Sequence, residues 1–218
     1  MKQNLLLVLV SILLLAFLQS CVSPFSELQS ARLVGKNNVE FTPAYTTTSS
    51  TSEGETEGIQ NHIGFHSAFG VSSKTDLRLR YELIWGKGDD IGNATHVIGF
   101  GPKISLLENR IALSLPFGTA FGGDIGDIWE FQPSVLFTLP AVPDKLDITF
   151  APKYIATFCE DCGDYMAFNF GLAISNDVSS WAIRPEFGLL YDFGSEGHAS
   201  QFSIGISKTF GKNIGSQK

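Results

Sequence analysis

From about Lys36 onward the apolar residues of this chain recur at every second position. Between Thr75 and Trp85, for example, Leu77, Leu79, Tyr81, Leu83 and Trp85 share one phase while Asp76, Arg78, Arg80 and Glu82 share the other. A strand places those two sets on opposite faces, whereas a helix would scatter both. The same period returns in Ile63–Val71, Ile98–Ile104, Ile111–Phe117, Trp129–Leu139, Leu146–Tyr154, Met166–Ile174, Trp181–Tyr191 and Phe202–Phe210. The intervening positions are polar or small, among them Lys103, Glu130, Asp147, Lys153, Arg184 and Glu186. With a weaker first strand around Val39, Phe41 and Tyr45 the count is ten, and eight or twelve follow if the first strand is misread or a connection hides a pair. No segment after the N-terminal stretch reads as a helix.

The connections alternate as well. Those at 49–58, 86–93, 118–127, 158–164 and 192–199 are longer and polar, and those at 72–74, 107–110, 140–145 and 176–180 are tight. Such alternation belongs to an up-and-down barrel with one long-loop rim and one short-turn rim. Strands of about ten residues match the tilted span of a hydrocarbon core. The expected fold is therefore all-β, an up-and-down antiparallel transmembrane β-barrel of about ten strands over residues 38–210. Over that region the chain resembles the small outer-membrane β-barrels of Gram-negative bacteria. The resemblance implies export, a polar lumen, an apolar aromatic-girdled exterior and contact with outer-membrane lipid and lipopolysaccharide. It also implies recognition by the barrel-insertion machinery through a terminal aromatic. Phe210 takes that place, although a tail of residues 211–218 follows it.

Residues 1–20 read as a signal peptide: Lys2 precedes an apolar run from Leu5 to Leu18 broken only by Ser11. A bilayer span needs about 20 apolar residues, so the run is too short to serve as an anchor and is expected to be cleaved. Leu18-Gln19-Ser20-Cys21 resembles the lipobox of bacterial lipoproteins, with Gln19 the less usual member. That resemblance implies a diacylglycerol on the Cys21 thiol and cleavage before it, and acyl chains would anchor the mature N-terminus. An ordinary signal cleaved nearby would leave Cys21 a plain thiol. Residues 21–37 show no periodicity and read as a periplasmic linker, and an even strand count favours a tether on that same side.

Composition and charge refine this picture. The 218 residues are 44% hydrophobic with 18 phenylalanines and a net charge of −7, without the clustered positive field that nucleic acid requires. Sorted by place, the strand charges balance, and Asp76, Arg78, Arg80, Glu82, Lys103, Glu130, Asp147, Lys153, Arg184 and Glu186 are candidates for a lumenal charge network. Lys208 shares the phase of Ile206 and Phe210 and is expected to snorkel at an interface. The long connections hold twelve acids against Lys87 alone, an acidic rim suited to cations, basic ligands or divalent bridges to lipopolysaccharide. Glu27 and Arg32 fall to the short-turn rim and the chain ends.

Chemistry-bearing constellations are sparse. Cys159 and Cys162 lie in one long connection of an exported chain and are expected to form a disulfide that staples the loop. His62 and His66 share the inward phase four positions apart, too far along one strand to converge on one metal, and no cofactor is implied. His198-Ala199-Ser200 resembles part of the His-x-Ser pair of outer-membrane lipid A deacylases. Gln201 stands where that family has Asn, however, and no acid follows Glu196 to orient a base. The reading is a non-enzymatic barrel with a structural, binding or small-solute passage role. One alternative is an outer-membrane enzyme acting on lipid A or surface peptides; another is a soluble exported β-barrel or sandwich that binds an apolar ligand.

Overall fold

A computed structural model describes residues 23–87, 94–123, 128–159, 162–193 and 197–211. Its strands are β1 (Val39–Ser52), β2 (Glu55–Gly70), β3 (Thr75–Gly86), β4 (Thr95–Leu107), β5 (Ile111–Ser114), β6 (Phe117–Phe121), β7 (Ile128–Phe131), β8 (Ser134–Val142), β9 (Leu146–Phe158), β10 (Tyr165–Ile174), β11 (Trp181–Asp192) and β12 (His198–Phe210). Both β5 and β6 pair with β4, and both β7 and β8 pair with β9, so the twelve stretches make ten spans of one antiparallel sheet. The sheet closes where β1 meets β12, with Val39 opposite Phe210. Closure leaves no unpaired edge among the described strands, which hydrocarbon would not tolerate.

Prolines account for the two interrupted spans. Pro116 and Pro133 cannot donate to the ladder, so at each only the returning bond forms: Gln132 N donates to Pro116 O at 2.9 Å and Tyr154 N to Pro133 O at 3.0 Å.

The faces sort by polarity in the sense a bilayer demands. Phe100, Phe170, Phe202 and Ile206 on the outer face are more than half exposed, while Asp76, Asp147 and Ser203 on the inner face are 0% exposed. A soluble barrel or sandwich would bury the apolar set, so the inverted arrangement overturns that alternative. Lys208 lies on the outer face beside the short turns, its Nζ 3.4 Å from Ser180 Oγ.

Two expected loops are shorter than the sequence pattern suggests. Residues 49–58 extend β1 and β2 into a projecting hairpin that turns on Glu53 and Gly54, both with positive φ (52° and 85°). That pair of angles suits the primed turns that match strand twist. Its Ser and Thr residues are polar on both faces, so no apolar alternation reveals the strands. Likewise β6 carries the chain to Phe121 inside the expected loop 118–127.

The largest departure precedes β1. The stretch expected as a periplasmic linker runs, from Ser23 on, through the lumen as an irregular plug. Phe25, Leu28 and Ala31 are 0%, 2% and 0% exposed. The barrel wall is lined with charged and polar side chains that the backbone amides and carbonyls of this segment satisfy, which a solvated linker would not do.

Candidate functional site in the barrel lumen

The plug can be followed rung by rung. At the short-turn rim, Asn37 N donates to Gly70 O at 2.9 Å and Val34 N to Asp76 at 3.0 Å. Arg32 forms a two-pronged pair with Asp147, at 2.6 and 3.1 Å. Further in, Ala31 N donates to Thr138 Oγ1 at 2.8 Å. Midway, the successive backbone N–H groups of Glu27 and Leu28 donate to the two carboxylate oxygens of Glu186, at 2.7 and 2.8 Å. Leu28 has φ 47°, a left-handed conformation uncommon outside glycine, and consecutive amides that converge on one anion form a nest. Beyond it the Phe25 ring is enclosed by Ile155, Ala167, Leu190 and Ala199, near the long-loop ends of their strands. Ser23 Oγ donates to Glu130 at 2.7 Å, two residues from the start of β7.

Every predicted member of the charge network lies on this inner face, and the structure shows what each one meets. Lys103 is 3.6 Å from Asp76 and donates to Ser30 O and Arg32 O. Lys153 is 3.0 Å from Glu27 and donates to Phe25 O at 3.1 Å. Arg80 pairs with Glu82 at 2.7 Å, and Glu82 also accepts from Ser26 Oγ. Arg184 and Arg78 flank Glu40 at 3.1 and 3.7 Å. The sequence pattern missed Glu27 and Arg32, placed at the short-turn rim, as partners within the lumen. With them, seven carboxylates face six permanent cations among the described residues.

His62 and His66 converge on a carboxylate, with ring nitrogens 2.8 and 3.4 Å from Glu82. Among the described residues no group of three or more His, Cys, Asp or Glu is arranged to hold a metal ion. Beside the plug a cavity of about 50 Å³ is lined by Gln29, His66, Arg78, Arg80, Gly99 and Gly118. Leu79, Phe100 and Phe117 make the rest of its lining largely apolar, and both terminal nitrogens of Arg78 and the Gln29 amide oxygen are buried without a hydrogen bond among the described residues.

The remaining candidates lie elsewhere. Cys21 is outside the described residues. Cys159 and Cys162 are joined by a disulfide at the end of β9, with Cα atoms 5.5 Å apart. Of the acidic rim, Glu53, Glu55 and Glu57 sit on the projecting hairpin, and Asp164 and Asp192 flank β10 and β11; the other acids lie outside the described residues. His198 stacks on Tyr191 with ring centres 5.6 Å apart, at the long-loop end of β12.

No protein-family profile and no curated protein matches the chain. Among solved structures it is similar to Ail, the attachment invasion locus protein of Yersinia pestis, at 8% identity over 80% of this chain and 99% of that one, TM-score 0.40. The translocator domain of the autotransporter NalP from Neisseria meningitidis is 7% identical over 81% and 89%, TM-score 0.46. The KdgM porin is 9% identical over 79% and 99%, TM-score 0.42.

Proposed function

We propose that the protein is an outer-membrane barrel of a Gram-negative cell with a closed lumen and a structural or surface-binding role. The observation that carries this reading is the plug, which is tied to the wall from Asp76 and Asp147 at one rim to Glu130 near the other. A solute crossing the barrel would have to displace a segment that forms ion pairs and backbone hydrogen bonds along its whole length. The apolar outer face supports the membrane location, and Phe210, paired with Val39 at the closing seam, supports handling by the insertion machinery. The acidic rim serves as the binding face, for cations, basic ligands or lipopolysaccharide bridged by divalent ions. Cys21 carries the lipid anchor.

Planar-bilayer recording tests the closed lumen. The intact protein should give no steady conductance steps, and a variant with Arg32→Ala and Phe25→Ala, which loosens both ends of the plug, should give them. Stable steps from the unaltered protein would overturn the reading. For the rim, loss of divalent-dependent lipopolysaccharide binding in Glu53→Gln/Glu55→Gln/Glu57→Gln is expected, and unchanged binding would leave a purely structural role.

A further inference from the structure

The plug has a direction. Its successive contacts move steadily along the barrel axis: Asn37 touches Gly70 at the end of β2, and Val34 and Arg32 touch Asp76 and Asp147, the second residues of β3 and β9. Leu28 then meets the middle of β11, and Phe25 meets residues one to three positions from the long-loop ends of β9, β10, β11 and β12. Ser23 follows at Glu130, two positions inside the long-loop end of β7. Read toward the N-terminus, the chain therefore enters at the short-turn rim and climbs to the long-loop rim. Phe25, 0% exposed, packs across the lumen below Ser23, and Pro24 O accepts from the Gln132 side-chain amide at 3.4 Å.

We propose that the plug is threaded through the barrel and delivers Ser23 to the long-loop mouth, on the side of the membrane opposite the short turns. The consequence for the anchor rests on the lipoprotein reading given above. On that reading, acyl chains on Cys21 enter the outer leaflet. This reverses the periplasmic tether that an even strand count suggests.

Epitope accessibility in intact cells decides the point. Three variants of the full chain are compared: one with an epitope inserted between Val22 and Ser23, one with it in the Glu53–Gly54 turn, and one with it after Asn109 in a short turn. The first two should bind antibody on intact cells and the third only after permeabilisation. An N-terminal epitope that behaves like the Asn109 one would overturn the threading. If the Glu53–Gly54 and Asn109 epitopes exchange behaviour, the barrel orientation itself is wrong. Should the insertion prevent assembly, Ser23→Cys in a Cys159→Ser/Cys162→Ser background replaces it. Labelling of that cysteine on intact cells by a membrane-impermeant maleimide is expected, and labelling only after permeabilisation overturns the proposal. The mass of the N-terminal peptide reads the anchor separately, and an unacylated Cys21 would overturn the anchor while the labelling decides the threading.

Discussion

Gly188 on β11 is the position that admits Phe25: a Cβ built there would stand 2.7 Å from the Phe25 ring, and also against the Asn169 amide oxygen and Gln201. The absent side chain is thus part of the binding surface for the plug. Gly188→Val should push the ring out of its enclosure and cost about 1–3 kcal/mol, as overpacking does. Gly99→Ala is the contrast, because a Cβ there meets only Arg80, at 3.8 Å. It should change stability by no more than about 0.5 kcal/mol. Urea unfolding of the protein in detergent micelles measures both.

Glu186 satisfies two plug amides at once, so truncation orphans both. Glu186→Ala should destabilise by about 1–3 kcal/mol per amide left unpaired, less whatever water recovers. Faster amide hydrogen exchange at Glu27 and Leu28, with exchange in β1–β4 unchanged, would identify the plug as the part released.

Glu27 and Lys153 form a buried pair 3.0 Å apart. At neutral pH Glu27→Gln strands the Lys153 ammonium and should cost about 3–5 kcal/mol, much of which Lys153→Met added to it should restore. Equal, additive losses in the two single variants and their combination would show that the pair is not coupled.

The projecting hairpin turns on two left-handed residues, of which only Gly54 is glycine. Gly54→Ala should cost about 1 kcal/mol, although no atom lies within 4 Å of the new Cβ, because the backbone angle alone is unfavourable. Glu53→Gly, at φ 52°, should by contrast leave the hairpin intact, as read by protease resistance of residues 49–58.

Most of the wall is legible in the sequence because period two is local and the apolar phase of each strand has to face one solvent. Leu77 to Trp85 needs no distant information to be placed. Residues 23–36 are different: they show neither period two nor the helical period, and their partners lie far along the chain, Glu186 being 158 positions from Leu28. The legible trace of the plug is indirect. Gly171, Gly188 and Gly205 share the inner face of β10–β12, and so many missing side chains on one wall imply that something else fills the lumen. The charges carry a second trace: with Lys208 outside, the wall offers Asp147 no basic partner of its own, and Arg32 of the plug takes that place. The hairpin at 49–58 was illegible for a simpler reason: Ser and Thr on both faces remove the alternation by which a strand is read.

The plug also bears on the order in which the molecule can form and come apart. Its partners are spread over β3, β4, β7, β8, β9, β10 and β11, so no early fragment of the wall can offer them together. Contacts of such long range form late, and contacts absent from the folding transition state act on the unfolding rate. Pulling the plug loose should therefore shorten the lifetime of the closed barrel while leaving its rate of assembly nearly unchanged.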